Sequence, residues 1–150
     1  MKNERHACVE CGAELRAKAH VQRTRVGRYK VDDGSKMLPA CANGHIELSL
    51  DDLAEYERRA AAVVLAEAAE IGPAEIRFAR KSLGLTQARL AALMQVAPET
   101  VSRWESSNDP PAMSRVSRLA LLAIVQGSEA LARLDDRPAR AAEVLKIHAA

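Results

Sequence analysis

Aromatic residues are nearly missing from this chain of 150 residues: one Trp, two Tyr and one Phe make up 3% of it. A core must then be built from Ala, Leu, Val and Ile, which favours closely packed helices over a β-sandwich. Three cysteines at uneven spacing are too few for a disulfide framework. No apolar run approaches the ~18 residues of a membrane span, and the N-terminus has no secretory apolar segment. A soluble, cytoplasmic protein with no membrane contact is expected. Also missing are a recognisable Ser/His/Asp set, a phosphate-cradling loop and an HExxH helix. A zinc held by three cysteines with an open position could be catalytic in principle. No carboxylate base accompanies the cysteines in a recognisable arrangement, so no enzyme is expected. There are no internal repeats and no low-complexity tracts.

The net charge is only +2, but it is unevenly spread. Arg16, Lys18, Arg23, Arg25, Arg28 and Lys30 form a basic stretch without an acid, whereas residues 51–72 hold six acids against two bases. A basic run is usually a solvated surface, and beside a DNA-binding unit it can serve as a supplementary phosphate patch.

The N-terminal part has the layout of a metal site. Cys8-Val9-Glu10-Cys11 is a CxxC knuckle followed by Gly12, and Cys41-Ala42-Asn43-Gly44-His45 follows thirty residues later. Two close pairs of soft ligands separated by a long loop suit structural zinc. A regular second knuckle would have a cysteine where Gly44 stands. His45 is the candidate fourth ligand, with His6 and His20 as competitors. The alternatives are a site that has lost its metal and keeps buried thiols, or a redox CxxC, which no βαβ pattern supports. Ala19 to Val31 and Ser35 to Pro39 are expected as short strands joined by a turn at Asp32-Asp33-Gly34. A structural zinc would contribute on the order of 10 kcal/mol and so explain how so polar a segment folds.

Residues 73–107 form three short helices in outline. Pro73 suits a first helical position, Ile76, Ala79 (or Arg80) and Leu83 recur at helical spacing, and Gly84 ends the helix. Thr86 caps a second helix with Leu90, Leu93 and Met94 on its apolar face. Gln95-Val96-Ala97 connects to a third helix opened by Pro98, with Val101 and Trp104 inward. Pro98, Glu99, Thr100, Ser102, Arg103 and Ser106 lie off that stripe. The N-terminus of the Thr86 helix suits a phosphate, and Gln87 can add a hydrogen bond. Arg103 can fork onto guanine O6 and N7, and Glu99 can accept from a cytosine amino group.

This segment resembles the phage-repressor (XRE-type) helix-turn-helix family. The resemblance is carried by Ile76, Arg80, Leu85-Thr86-Gln87, Leu90-Ala91, Met94, Val96, Thr100-Val101-Ser102-Arg103-Trp104-Glu105 and Pro110-Pro111, over roughly residues 73–125. It implies a phosphate contact by Gln87 and base contacts by Glu99, Thr100 and Arg103. It also implies a packed Trp104 and a bracing role for Glu105. A wider resemblance is to the MqsA-type (YgiT-like) antitoxin family, carried by Cys8, Cys11, Gly12, Cys41, Gly44, a helix from Ser49 to Ala69 and the Gly72-Pro73 junction. It implies a zinc domain that binds a toxin where there is one, followed by a dimerising repressor domain. Four cysteines hold zinc in that family, and Gly44 departs from its pattern.

Ser49-Leu50-Asp51-Asp52 is a capping box opening a helix to about residue 70, with Leu53, Tyr56, Ala60, Val63 and Val64 on one face. After Asn108-Asp109-Pro110-Pro111, a helix carrying Val116, Leu119, Ala120, Ala123 and Ile124 is expected to end at Gly127. Ser128 would cap another, and a last helix would run from Arg137-Pro138 to about His148. Leu131, Leu134, Val144, Leu145 and Ile147 would close the core or bury against a second copy.

The expected fold is therefore mainly α. It has a small α+β zinc-knuckle domain over 1–48, a linker helix over 49–72 and an all-α five- or six-helix repressor-like domain over 73–150. The expected function is a sequence-specific repressor binding a double-stranded operator as a homodimer, and an antitoxin-like autoregulator with a toxin partner. The alternatives are a zinc-ribbon protein-binding adaptor and a lone regulator. The expected site residues are Gln87, Glu99, Thr100, Ser102 and Arg103 for DNA, and Cys8, Cys11, Cys41 and His45 for zinc.

Overall fold

The computed structural model describes residues 7–133 and 145–149. Two strands, β1 (Arg16–Val26) and β2 (Tyr29–Ala40), come first. Five helices follow: α1 (Leu50–Glu67), α2 (Pro73–Ser82), α3 (Gln87–Met94), α4 (Pro98–Trp104) and α5 (Arg115–Arg133). A last strand, β3 (Leu145–Ala149), pairs antiparallel with β2, giving the sheet order β1-β2-β3. The protein is mainly helical with an α+β N-terminal part, as its alanine-rich, aromatic-poor composition leads one to expect.

The hairpin turns earlier than the sequence suggests. Gly27 and Arg28 make the turn, with Gly27 at φ +56°. The Asp32-Asp33-Gly34 stretch lies inside β2. His20 pairs with Lys36 and Gln22 with Asp33, so Gly34 and Ser35 together stand opposite Val21 as a bulge. Asp33 explains this placement. Its buried carboxylate accepts the Ser35 N–H at 2.9 Å and pairs with Arg59 of α1 at 2.8 Å. The local turn chemistry of Asp is real, but it is used to fold a bulge inward onto α1.

Helix α1 starts as its capping box dictates, with the Ser49 side chain accepting from the Asp52 N–H and Asp52 accepting from the Ser49 N–H. Hydrogen bonds from Ser49 and then from Lys36 hold the Asp52 carboxyl down at about 2. Lys36 reaches Asp52 at 2.9 Å and also pairs with Glu55, tying β2 to the first turns of α1.

Both faces of α1 are used. Ala60, Val63, Val64 and Ala68 pack with Val26 and Val31 of the hairpin. Ala61 and Leu65 join Ile76, Ala79, Leu90, Ala91, Val101, Trp104, Leu121 and Val125 in a second core. Ile71 and Phe78 touch both clusters. Small alanines let these helices approach closely, so few large side chains are needed. Two polar contacts reinforce the junction. Buried Glu75, near the start of α2, accepts the Arg28 N–H at 2.8 Å and the Gly72 N–H at 2.7 Å. Arg118 of α5 donates to Leu65 O at 2.6 Å and to Ala68 O, carbonyls at the end of α1.

The C-terminal expectations need correction. Helix α5 runs unbroken through Gly127 and Ser128 to Arg133, so neither residue marks a boundary. A glycine inside a helix costs only about 1 kcal/mol relative to alanine, which the surrounding helix formers outweigh. The buried stripe of α5 contains Leu121 and Val125, whereas Val116 and Leu119 are 77% and 54% exposed. Leu93 of α3 is likewise exposed, and buried Ala91 takes its place beside Leu90. Residues 145–149 are strand rather than the end of a helix, because β2 offers them a free edge. Leu134, Val144 and the Arg137-Pro138 helix start fall outside the described residues, as does His6.

Candidate metal centre and nucleic-acid interface

Two tight turns build the cysteine cluster. In the first, Gly12 at φ +70° donates its N–H to Cys8 O at 2.8 Å, and the Cys8 N–H returns to Ala13 O at 2.8 Å. In the second, Gly44 at φ +86° donates to Cys41 O at 3.1 Å, and the Cys41 N–H donates to His45 O at 3.0 Å. Gly44, at the place of the missing fourth cysteine, therefore makes the turn that swings His45 inward. The ligand atoms of Cys8, Cys11, Cys41 and His45 all lie within 4.8 Å of one another.

The spacings can be tested against a tetrahedral ion. Metal–sulfur bonds of ~2.3 Å and metal–nitrogen bonds of ~2.0 Å require sulfur–sulfur edges of ~3.8 Å and sulfur–nitrogen edges of ~3.5 Å. Cys11 Sγ and Cys41 Sγ are 3.7 Å apart, and His45 Nδ1 is 3.7 Å from Cys8 Sγ and 3.6 Å from Cys41 Sγ. The four residues are thus close enough to hold a metal ion, and the three-sulfur, one-nitrogen set suits zinc. The Ala13 N–H and then the Asn43 amide, 3.4 Å from Cys11 Sγ, hold the Cys11 thiol down at about 6. Burial pushes the Cys8 thiol up. His20 is not part of the cluster: its Nε2 pairs with Gln22 Oε1 at 3.0 Å and its ring meets Tyr56 edge-on.

The second site is assembled by α2, α3 and α4. Thr86 caps α3, its hydroxyl accepting the Arg89 N–H at 3.2 Å. Gln95, at φ +55°, turns the chain so that α4 can begin at Pro98. Val101 and Trp104 anchor α4 in the core. Behind them Glu105 is 1% exposed. Its carboxylate receives Arg80 Nε at 2.7 Å, Arg80 Nη2 at 2.9 Å and Gln87 Nε2 at 2.9 Å. Arg80 also donates to Leu85 O at 2.7 Å, and Arg77 donates to Glu105 O at 2.6 Å. Burial opposes the charge on Glu105, but the bonds from Arg80 and Gln87 outweigh it and leave the carboxyl below its ordinary value. One carboxylate thus fixes α4 to α2 and to the first residue of α3.

Residues 76–122 match the helix-turn-helix family. The match supports a DNA-binding transcription regulator. No curated protein matches the chain. Among the described residues, no helix is long and apolar enough to cross a membrane.

In the helix-turn-helix, Glu99, Ser102 and Arg103 stand exposed on α4 and Thr100 is half-buried. The expected base-reading residues therefore share the solvent side of one helix whose other side is core. Gln87 is set apart from them, at the start of α3. One amide hydrogen of Gln87 is engaged by Glu105, which leaves the other free to donate. Three contributors were not expected from sequence: Arg77, Asn43 and Arg118. Arg77 lies three residues before Arg80 on the same helical face, which is the signal that could have found it. Asn43 stands two residues after Cys41 inside the second knuckle, a polar side chain close in sequence to a candidate ligand. Arg118 gave no local signal, because its partners are backbone carbonyls 50 and 53 positions away.

Proposed function

We propose that the protein is a sequence-specific, DNA-binding transcriptional repressor whose N-terminal part holds a structural zinc on Cys8, Cys11, Cys41 and His45. The observation that carries the reading is the exposed row on α4, backed by the Arg80–Glu105–Gln87 brace. Arg103 forks onto a guanine in the major groove, Glu99, Thr100 and Ser102 complete the base contacts, and Gln87 donates to a phosphate. A homodimer presents two such helices about 34 Å apart to paired half-sites. The units proposed are a zinc-knuckle part over 1–48, a connecting helix over 49–72 and a DNA-binding part over 73–150. The cytoplasm is the compartment this function requires.

Beyond this, we propose an antitoxin-like autoregulator, on the order of features given above: two knuckles, short strands, a long helix and then the helix-turn-helix. A second reading, a protein-binding adaptor, is favoured by exposed Val21 and Met37 on the strands of the N-terminal hairpin. Footprinting on the duplex upstream of its own gene tests autoregulation, and protection of a paired half-site is expected. A pull-down from the native cell tests the toxin. A regulator that protects its operator and captures no protein is a lone repressor.

A further inference from the structure

We infer that Cys11 is an oxidant-reactive thiol and Cys41 its resolving partner, so that a hydroperoxide joins the two as a disulfide and expels the metal. This inference rests on the zinc reading above. Cys8 and Cys41 are buried residues, each 3% exposed, whereas Cys11 is exposed. An oxidant in solution therefore meets Cys11 first. The sulfur of Cys41 lies 3.7 Å from it, within reach of a small turn adjustment. Cys41 Sγ also leans on His45 Nδ1 at 3.6 Å, so it faces the same centre as Cys11 from the second knuckle. Asn43 donates to Cys11 Sγ at 3.4 Å and holds the sulfur in place beside Cys41.

The chemistry balances with the oxidant named. The Cys11 thiolate attacks one oxygen of hydrogen peroxide, the O–O bond breaks, and hydroxide leaves and takes a proton. Cys11 is now a sulfenic acid. The Cys41 thiolate attacks that sulfur, the S–S bond forms, the S–O bond breaks, and a second hydroxide leaves and takes a proton. Two thiolates have lost two electrons and the peroxide has become two waters. Only Cys8 and His45 then remain as donors, too few for a closed tetrahedral site. The new bond crosses between the two knuckles rather than lying within the CxxC.

The test uses the full chain. Its zinc is first measured by elemental analysis. Hydrogen peroxide is then added with a chromogenic chelator, and the products are mapped as peptides without reduction. The expected result is loss of the one bound zinc, a Cys11–Cys41 crosslink, Cys8 still open to alkylation, and reversal by dithiothreitol with added zinc. Early dimedone labelling of wild type is expected at Cys11 alone. A disulfide that includes Cys8, dimedone on a buried cysteine, or zinc retained with all three thiols reduced would overturn the inference. Protein that carries no zinc at the outset overturns the zinc reading instead, and the peptide map of that same sample still decides the reactive pair.

Discussion

A carboxylate as buried as Glu105 is tolerable only because Arg80 forks onto both of its oxygens and Gln87 adds a third donor. Removing one partner of such a pair leaves a buried charge uncompensated. Glu105→Gln is therefore expected to lower unfolding stability by about 3 kcal/mol, read from urea denaturation. The pH dependence has a definite sign. The folded carboxyl sits below its ordinary value of 4.5, so its stabilisation is complete above that pH and fades as pH falls through the folded value. The gap between wild type and Glu105→Gln should thus narrow in acid below 4.5, and a gap that widens there would contradict the assignment. Gln87→Ala should weaken binding to all duplexes about equally, as loss of a phosphate contact does. Gel shifts on operator and unrelated DNA would measure this. Much at this scale was legible: Thr86, Pro98, Val101 and Trp104 act through neighbours a few positions away. Asn43 escaped because its polar partner leaves no periodic trace, whereas Arg77 had a signal in its helical spacing from Arg80.

Among the elements, the helices of residues 73–104 and the presence of two N-terminal strands were readable, and the place of the turn between those strands was not. Caps and glycine stops are chemistry within one turn, whereas strand register depends on what the strand packs against. Asp33 chose Arg59 of α1 over a place in the turn, and no local pattern announces that choice. The turn moved instead to Gly27, where a Cβ would stand 2.0 Å from Glu75 Oε1. Positive φ and this contact act together, so Gly27→Val should lower the melting temperature of the whole chain. An unchanged melting temperature would show that the hairpin does not seat on α2 as described. The stripe of α5 was also misread, because Ala120, Leu121 and Leu122 crowd every face with apolar residues. Their burial was decided by α1, through contacts such as Arg118 with Leu65 O.

At the scale of the molecule, α1 is more than a connection. One face lies in the hairpin core and another in the helical core, while Glu75 and Arg118 close the seam. The zinc reading then has a mechanical corollary. Few apolar side chains lie near the knuckles, so their turns depend on the ion. Chelation of the zinc is expected to increase amide exchange at residues 7–15 and 40–48 while the α2–α4 core keeps its protection. Hydrogen-exchange mass spectrometry would register the difference, and uniform protection with and without chelator would argue against a structural metal. The composition announced the helical majority and the cysteine spacing announced the metal cluster. The return of β3 to the sheet was not legible, since residues 145–149 carry no alternation strong enough to outweigh a helical reading.

Base reading by α4 is proposed to run through Arg103. Selection of bound duplexes from a random pool, with wild type and Arg103→Ala in parallel, tests it most directly. Wild type is expected to enrich a paired half-site with a fixed guanine in each half. The variant, with an unchanged melting temperature, should lose preference at that guanine and bind duplexes without discrimination there. Enrichment of the same sequence by both proteins would contradict it.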